Sequence, residues 1–558
     1  MSIADVSSVT DAGVSPAVGG ALAAAPAAAP LAWAGAPEHV CFSGDGLKAV
    51  TRAIRRPVYI LQGDSGVIGA SLAPSAPGAG GSQYPMLGML PPAYPEWLGD
   101  RAFGDIHNVR FPYIVGEMAH GIASPQMVIA AARAGMLGFL GAAGLSATAV
   151  AEKASEVAAA LDPEGLPWGV NLIHSPNEPG LEMELAELYI GRGLRNVSAS
   201  AFMSITPAIA YLAAKGLRVD QAGAIHRPRA IFAKISRPEM ARLFMSPPPQ
   251  PIVDALVADG KLSAEEARLA ALVPVAEDIT VEADSGGHTD GRPSLVSTPR
   301  ISGLRDEIVR DMGYQRPIRV GAAGGIGTPA AAAAAFGLGA DYLVTGSVNQ
   351  ACVESGLSAG AREMLEAVDM ADVAMAASAD MFELGVKVQV LKRGVMFASR
   401  ANLLYSLYTQ YNSLAEIPAD RRAAIERDIF KAPLEDIWAQ TKSYFAERNP
   451  AENERAARDE KHRMALVFRW YLGNSIRWAI RGQSERRLDY QIWCGPAMGA
   501  FNAWTAGTFL ASASARTVGQ VGRNILEGAA VISRAHALRQ LGLAVPASCF
   551  QFAPTDLS

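Results

Sequence analysis

Between about residue 110 and residue 350, short apolar runs rich in β-branched residues alternate with longer runs whose apolar residues recur every three or four positions. The short runs predict eight strands, at residues 113–119, 137–143, 168–173, 196–201, 230–236, 278–284, 318–324 and 342–347. The longer runs, such as SPQMVIAAARAG and TPAIAYLAAKG, predict helices. Alternation of this kind over about 240 residues is typical of an α/β chain folded as a (β/α)8 TIM barrel. A doubly wound open sheet is the alternative, but its glycine fingerprint follows the first strand, whereas here the glycine turns follow the last two.

The same pattern divides the chain into four parts. Residues 1–36 are rich in alanine and proline and predict a disordered tail. Residues 37–109 predict a small N-terminal cap, residues 110–354 the barrel, and residues 355–558 an α-helical C-terminal domain. Residues 237–277 form a helical insert between the fifth and sixth strands, which we expect to be a lid or a docking element on the active face.

Composition excludes several classes of function. The chain carries 49 basic and 54 acidic residues without a long run of either sign, so no nucleic-acid partner is expected. Its four cysteines have no metal-ligand or redox-motif spacing, which predicts no metal site and a reduced, cytoplasmic protein. No uninterrupted apolar run reaches the roughly 20 residues that a membrane helix needs, so no membrane partner is expected.

Two glycine turns follow the seventh and eighth predicted strands, at Gly324-Gly325 and at Gly346-Ser347. In (β/α)8 barrels a phosphate commonly lies between the loops after these two strands, where backbone N–H groups and a helix N-terminus hold it. A tight strand-to-helix turn would explain one glycine pair. Two such turns side by side predict a phosphate site.

Other strand ends carry residues that suggest a ligand. The first strand ends at Met118 and Ala119, whose neighbours are small and leave room for a flat molecule. Asn171 and Lys234 stand within otherwise apolar strands, where burying an unpaired polar group costs about 2–7 kcal/mol. Each of these side chains either reaches solvent or contacts a ligand at the mouth of the barrel.

The sixth strand leads into VEADSGGHTDGRPS, the stretch of the chain that is richest in titratable groups. It contains Glu282 and His288 together with Asp284, Asp290 and Arg292. A single loop histidine is commonly a surface residue, but this one lies among charges and glycines at the catalytic face. Because histidine exchanges a proton near neutral pH, His288 is the candidate general acid.

These motifs resemble a known superfamily. GEMAHGIAS, GVNLI, SGGH, AAGGIG and TGSV are similar to the nitronate monooxygenases and FMN-dependent enoyl reductases. Longer strings, including GVNLIHSPNEP, EADSGGHTD, VQVLKRGVMFASRANLLYSLY and LDYQIWCGPAMGAFN, resemble the PfaD family over residues 37–545. That family comprises the trans-acting enoyl reductases of polyunsaturated fatty acid and polyketide synthases.

The resemblance implies a site for FMN. Its isoalloxazine would lie near Met118, Ala119, Gly144, Asn171 and Lys234, and its phosphate on Gly324, Gly325, Gly346 and Ser347. His288, Glu282 and Lys234 are the candidate catalytic residues. The chain departs from the superfamily's Glu-Ala-Gly-Gly-His motif by the additional Asp284 and Ser285, which leaves the roles of Glu282 and His288 open.

The implied reaction is reduction of the α,β double bond of an enoyl thioester carried on an acyl carrier protein of a synthase, with NADPH or NADH as the reductant. Two alternatives remain: a nitronate monooxygenase-like flavin oxidase, and a non-catalytic assembly subunit. The aromatic residues of the C-terminal domain, Trp470 and Trp478 among them, predict packing and a homodimer interface rather than ligand contacts.

Overall fold

The computed structural model describes residues 31–76, 82–175 and 178–557. An antiparallel five-stranded sheet precedes the barrel and has the strand order β1-β5-β3-β4-β2. Its strands are β1 (Ala32–Gly35), β2 (Val40–Cys41), β3 (Val58–Gln62), β4 (Ile68–Ser71) and β5 (Ser82–Leu90), with α1 (Gly44–Arg52) between β2 and β3. Most of the predicted tail lies outside the described residues. Its last residues do not belong to a tail, because β1 buries Trp33 against the sheet.

The eight predicted strands are all present, and they close into a parallel barrel in the order β12-β13-β15-β16-β6-β7-β8-β9. They are β6 (Tyr113–Val115), β7 (Leu137–Leu140), β8 (Gly169–Ile173), β9 (Asn196–Ser200), β12 (Ala230–Ile235), β13 (Asp278–Glu282), β15 (Arg319–Ala323) and β16 (Leu343–Thr345). A short hairpin of β10 (Arg218–Val219) and β11 (Ile225–His226) precedes β12. The predicted (β/α)8 fold is confirmed.

Helices surround the barrel, and several begin where the sequence predicts, at a serine or threonine N-cap followed by proline. They are α2 (Arg101–His107), α3 (Pro125–Arg133), α4 (Ala147–Leu161), α5 (Pro179–Gly191), α6 (Pro207–Ala214), α7 (Pro238–Met245), α8 (Gln250–Ala258), α9 (Ala264–Ala270), α10 (Ser294–Met312), α11 (Pro329–Gly337) and α12 (Ser347–Gln350).

Helix α2 closes the barrel at the N-terminal ends of its strands. The ring of Phe103 stacks on Tyr342 with 4.7 Å between centroids, and both side chains are fully buried. His107, one turn later, lies 3.2 Å from the buried carboxylate of Asp278. The end of the barrel that is left for a ligand is therefore the C-terminal one, where (β/α)8 enzymes place their active sites.

The insert at residues 237–277 is helical as predicted, but the expectation that it covers the active face is wrong. Its first helix, α7, runs back along the barrel, so α8 and α9 lie towards the N-terminal ends of the strands. There Glu266 of α9 accepts a hydrogen bond of 2.8 Å from the N–H of Gly216, which follows α6. Arg227, just before β12, donates to the carbonyl of Val275 at 3.1 Å.

The C-terminal region is helical, as predicted, with a small sheet added. Its helices are α13 (Ala359–Glu366), α14 (Phe397–Gln410), α15 (Ala419–Ile425), α16 (Leu434–Arg448), α17 (Pro450–Ala456), α18 (Glu460–Arg481), α19 (Ala497–Thr505) and α20 (Val518–Gln540). The sheet has the order β14-β18-β17, in which β17 (Val373–Ala377) and β18 (Lys387–Leu391) accept β14 (Gly287–His288) from the barrel. None of the helices in the described ranges is long and apolar enough to cross a membrane.

One apolar core joins the barrel to the C-terminal region. The same cluster of buried side chains contains Tyr113 of β6, Phe382, Phe468 of α18 and Ile525 of α20. A second cluster packs α3 to α10 against the strands on the other side of the barrel. The C-terminal region thus takes part in the outer layer of the barrel near its first, seventh and eighth strands.

Candidate active site

A lysine between two carboxylates lies at the C-terminal end of the barrel. Lys234 Nζ is 3.4 Å from Glu117 Oε1 and 3.3 Å from Glu282 Oε1. Burial by itself would lower the pKa of Lys234, but the two carboxylates outweigh it and raise that pKa above its usual value. The ammonium group of Lys234 is therefore charged.

Strand alternation explains why Lys234 reaches this position. Phe232, two residues earlier on β12, belongs to the apolar cluster inside the barrel. Because side chains alternate between the two faces of a strand, Lys234 lies on the same inner side, one layer closer to the open end. Glu282 is the last residue of the neighbouring strand β13, and Ser285 Oγ donates to its Oε1 at 3.1 Å.

His288 is held by residues of the C-terminal region. Strand β14 pairs antiparallel with β18, so that His288 lies opposite Val388. Its Nε2 is 3.2 Å from Asp380 Oδ1 and 3.1 Å from Ser378 Oγ. Burial alone would lower the pKa of His288, but the Asp380 carboxylate raises it above its ordinary value, and the pKa of Asp380 is in turn lowered by the imidazolium. The pair favours a cationic imidazole.

The loop before His288 passes through a narrow gap that only glycine fits. A Cβ atom on Gly286 would lie 2.8 Å from Ser347 Oγ and 2.9 Å from the backbone of Cys494. Such distances are well below normal van der Waals contact, so a larger residue would displace its neighbours. This close approach fixes the strand-six loop between the start of α12 and the segment that leads into α19.

The two predicted phosphate turns lie side by side. They follow β15 and β16, which are paired neighbours in the barrel. The N–H groups of Gly325, Ile326 and Ser347 find no acceptor among the described residues. Apart from the adjoining residues of the chain, no atom of the described residues lies within 4 Å of the Cβ position of Gly325 or of Gly346, so both turns border open space. Unpartnered N–H groups beside open space are what a phosphate ester requires.

The first strand ends in a turn that places an aromatic stack at the barrel mouth. His120 has a left-handed backbone with φ of 56°, and its ring lies parallel to Trp493 at 6.0 Å between centroids. A Cβ atom on Gly144 would collide with the His120 ring. Burial first, and then the charges of Arg477 and Arg448, lower the pKa of His120 to about 4, so this ring is neutral near pH 7.

The remaining predicted residues also lie at the C-terminal end. Met118 and Ala119 follow β6, and Met118 is almost fully buried. Asn171, inside β8, donates from Nδ2 to the carbonyl of Ser198 at 3.1 Å and to Ser200 Oγ at 2.9 Å. Its amide nitrogen is thus used to join neighbouring strands. Asn171 and Gly144 line a cavity that Arg448 borders from the C-terminal region.

Two proteins from biosynthetic synthases are similar to this chain in sequence. It is 45% identical over 468 residues to one of the polyunsaturated fatty acid synthase subunits of Thraustochytrium sp., covering 82% of this chain and 31% of the relative. It is 42% identical over 437 residues to the polyketide biosynthesis protein PksE of Bacillus subtilis, covering 78% and 56% respectively. The chain thus spans about a third to a half of these relatives' lengths.

A solved structure covers the barrel and the C-terminal region together. The enoyl reductase domain of MlnA, from the macrolactin biosynthesis cluster of Bacillus amyloliquefaciens, superposes with a TM-score of 0.75 at 38% identity and covers 80% of this chain and 99% of that domain. The chain belongs to the PfaD family of enoyl reductase domains. Within it, residues 411–490 also match the family described as acyl-carrier-protein S-malonyltransferase, inserted helical domain.

In this member of the PfaD family, sequence reasoning missed three polar residues of the site. Glu117 stands in GEMAHG, directly before Met118, where the small neighbours indicate room for a ligand and the carboxylate gives no signal of its own. Ser378 and Asp380 lie some 90 residues after His288 in a region predicted to be helical. A buried lysine at a strand end is a signal that carboxylates must be sought around it, and the adjacent strand β13 supplies Glu282. Glu117 follows β6, which lies across the barrel from β12, so only the closure of the barrel brings it to Lys234.

Proposed function

We propose that this chain is an FMN-dependent enoyl reductase that uses NADPH or NADH to reduce enoyl thioesters on an acyl carrier protein, in trans, in polyunsaturated fatty acid or polyketide biosynthesis. Its similarity to polyunsaturated fatty acid and polyketide synthase proteins and to the enoyl reductase domain of MlnA supports the reaction and the pathway class. The observation that carries the proposal is that two neighbouring glycine turns and a histidine paired with a carboxylate lie at the same end of one barrel.

The residues present fit FMN. Its phosphate would be held by Gly324, Gly325, Gly346 and Ser347. The N–H groups of Gly325 and Ser347 have no acceptor among the described residues, and the Cβ positions of Gly325 and Gly346 border open space. Its ring system would lie over the barrel mouth near Met118, Ala119, Gly144, Asn171 and Lys234. When bound there, FMN supplies hydride transfer from the nicotinamide to the β carbon of the enoyl thioester.

His288 supplies the proton that completes the reduction. Asp380 and Ser378 both contact Nε2, which fixes the ring, and the Asp380 carboxylate favours the protonated imidazole by raising its pKa. The opposite nitrogen, Nδ1, has no partner among the described residues and is the atom that donates to the α carbon. Lys234, held by Glu117 and Glu282, places a fixed positive charge at the mouth, where it orients a polar or anionic group of the bound molecules.

An anaerobic titration tests the proposal. The purified protein is expected to show an oxidised flavin spectrum that bleaches with NADPH or NADH and returns when crotonyl thioester on a carrier protein is added. Return with oxygen or a nitronate but not with the thioester would support the flavin oxidase instead. A protein that neither contains nor binds FMN would contradict the proposal and favour the assembly subunit.

The phosphate cradle is tested separately with Gly346→Val. The Cβ position of Gly346 faces open space, but its backbone, with φ of −126° and ψ of −73°, lies outside the common α and β regions, so folding of the variant is first verified by circular dichroism and thermal unfolding. The valine side chain would occupy the phosphate position, and FMN affinity should fall about tenfold or more, as expected for lost charge-assisted hydrogen bonds. The matched control is Gly303→Val on exposed helix α10, which should bind FMN as the parent does. Equal FMN binding by both variants would place the phosphate elsewhere.

A further inference from the structure

Two arginines from the C-terminal region converge on one tyrosine above the barrel. The guanidinium of Arg448, at the end of α16, is 5.9 Å from the centre of the Tyr444 ring, and that of Arg477, on α18, is 5.7 Å from it. The Tyr444 side chain is 39% exposed, and both arginines are partly accessible. The three side chains form one cationic surface, here called the Arg448–Arg477 patch.

The patch borders the mouth of the barrel. Arg448 lines the same cavity as Gly144, in the turn after the second strand, and Asn171, inside the third strand. Both Arg448 and Arg477 act on the charge of His120, in the turn after the first strand, and lower its pKa. A molecule that enters over these strands therefore passes the patch. The glycine cradle follows the seventh and eighth strands, so the patch is a different site from the cradle.

The charge of the patch is only partly compensated. Arg448 Nε lies 3.1 Å from a carboxylate oxygen of Glu178. Arg477 makes no ion pair with any carboxylate of the described residues, whereas the neighbouring Arg463, Arg469 and Arg486 each have one. A half-buried guanidinium without an anion retains donors that are suited to a phosphate oxygen. Packing on the Tyr444 ring explains the position of the Arg477 side chain, but it does not use the N–H donors of the Arg477 guanidinium.

We propose that the Arg448–Arg477 patch binds a phosphate ester carried by a molecule that enters the barrel mouth. Two molecules in the proposed reaction carry such a group at a distance from the reacting atoms: the pantetheine arm of the carrier protein and the 2′-phosphate of NADPH. The choice of these two candidate ligands rests on the proposed function, because both are molecules of the proposed reaction. The chemistry of the site, a guanidinium pair beside an aromatic ring, is the same for both.

Equilibrium binding without turnover tests the patch. The probes are 4′-phosphopantetheine against pantetheine, and adenosine 2′,5′-bisphosphate against adenosine 5′-monophosphate, measured by isothermal titration on the FMN-loaded protein. The variant Arg477→Gln is expected to lose about tenfold in affinity for either 4′-phosphopantetheine or adenosine 2′,5′-bisphosphate, and nothing for the matching probe that lacks the 4′- or 2′-phosphate. Arg421→Gln, an exposed arginine of α15 in the same region, is the matched control and should bind as the parent does.

Each outcome is decisive. Loss confined to phosphopantetheine assigns the patch to the carrier arm, and loss confined to the bisphosphate assigns it to the reductant. Arg477→Lys keeps the charge and should retain most of the phosphate preference, which separates loss of charge from loss of packing. A parent protein without phosphate preference, or variants that bind all four probes alike, would overturn the inference. Because no step requires turnover, these results are independent of whether enoyl thioesters are reduced.

Discussion

At the scale of single residues, the acid strength of His288 depends on one carboxylate. The side chain is only about a third exposed, and burial by itself would make the imidazole a stronger acid that is neutral at pH 7. Asp380, 3.2 Å from Nε2, reverses this and raises the pKa above its ordinary value. A proton donor that works near neutral pH needs such a match between its pKa and the pH.

Replacement of Asp380 by asparagine is expected to lower the pKa of His288, because the burial effect then acts without the opposing charge. A group with a raised pKa stays protonated until the pH rises through that value. The variant should therefore lose its histidine proton, and with it the rate, at lower pH than the parent. At pH 8 we expect kcat/KM to fall about tenfold, part of the roughly 10²–10⁴-fold that a general acid contributes.

The measurement is a pH titration of the histidine ring by nuclear magnetic resonance together with the pH dependence of kcat/KM. His288→Ala identifies the resonance and removes the alkaline limb of the profile. Asp254→Asn, on the exposed side of α8, is the control and should leave both curves unchanged. If the His288 titration stays in place in Asp380→Asn, the carboxylate does not set its acid strength.

The residues that the sequence could identify are those whose position follows from strand order alone. His288, Glu282 and Lys234 each stand at or just after the C-terminal end of a predicted strand, and such ends meet at one face of a barrel. In the structure all three lie at the C-terminal end of the barrel, and their catalytic roles remain proposals. Asp380 was missed because its approach to His288 depends on pairing between β14 and β18, and no local pattern reports a contact between segments so far apart.

At the scale of elements, strands with a strong local pattern were found and short ones were not. Each barrel strand is an apolar run followed by a helix, so residue patterning was enough to predict all eight. Strand β14 has two residues and no alternation to detect, while β17 and β18 have five residues each within a helical region. The insert helices were also predicted, but their position was not, because periodicity carries no information about which end of a barrel a loop occupies.

Two glycine-to-alanine substitutions distinguish a glycine that is needed for close packing from one that only lowers helix propensity. Gly286→Ala places a Cβ within 2.9 Å of the Cys494 backbone, and we expect a loss of about 1–3 kcal/mol in the free energy of unfolding, as for overpacking. Gly303→Ala lies in the exposed interior of α10 with open space around it, and helix propensity predicts a gain of about 0.5–1 kcal/mol. Urea unfolding followed by circular dichroism measures both, and changes of the same sign would contradict this account of the strand-six loop.

At the scale of the whole molecule, α20 joins the cap, the barrel and the C-terminal region. Arg534 on this helix is almost fully buried and donates to the carbonyls of Ile54 at 2.7 Å and Pro91 at 3.2 Å, both in the cap region. Burial lowers its pKa to about 10, which leaves it charged at neutral pH. On another side of the helix, a Cβ atom on Gly528 would lie 2.6 Å from Pro329 of α11. The predicted boundaries near residues 109 and 354 thus fall within a continuous packing arrangement.

Arg534→Met is expected to loosen the cap. It leaves buried carbonyls without donors, at about 1–3 kcal/mol for each unsatisfied group. Hydrogen exchange measured by mass spectrometry should then show faster exchange in β3 and β4, while β12 in the barrel keeps its protection. Gln540→Met, exposed at the end of the same helix, is the control and should change stability by less than about 0.5 kcal/mol. Unchanged exchange in the cap would show that these carbonyls are satisfied in another way.

The pairing of β14 with β18 also limits how such a chain can be recombined. Consider a hybrid that joins this barrel, at residue 354, to the C-terminal region of a distant relative. It would keep His288, but the strand, the hydroxyl and the carboxylate that hold His288 in this chain would come from the relative. The pKa of the histidine would then be set by the relative that contributes the C-terminal region. Exchange of parts between relatives should succeed only where His288 and the segment from Val373 to Leu391 travel together.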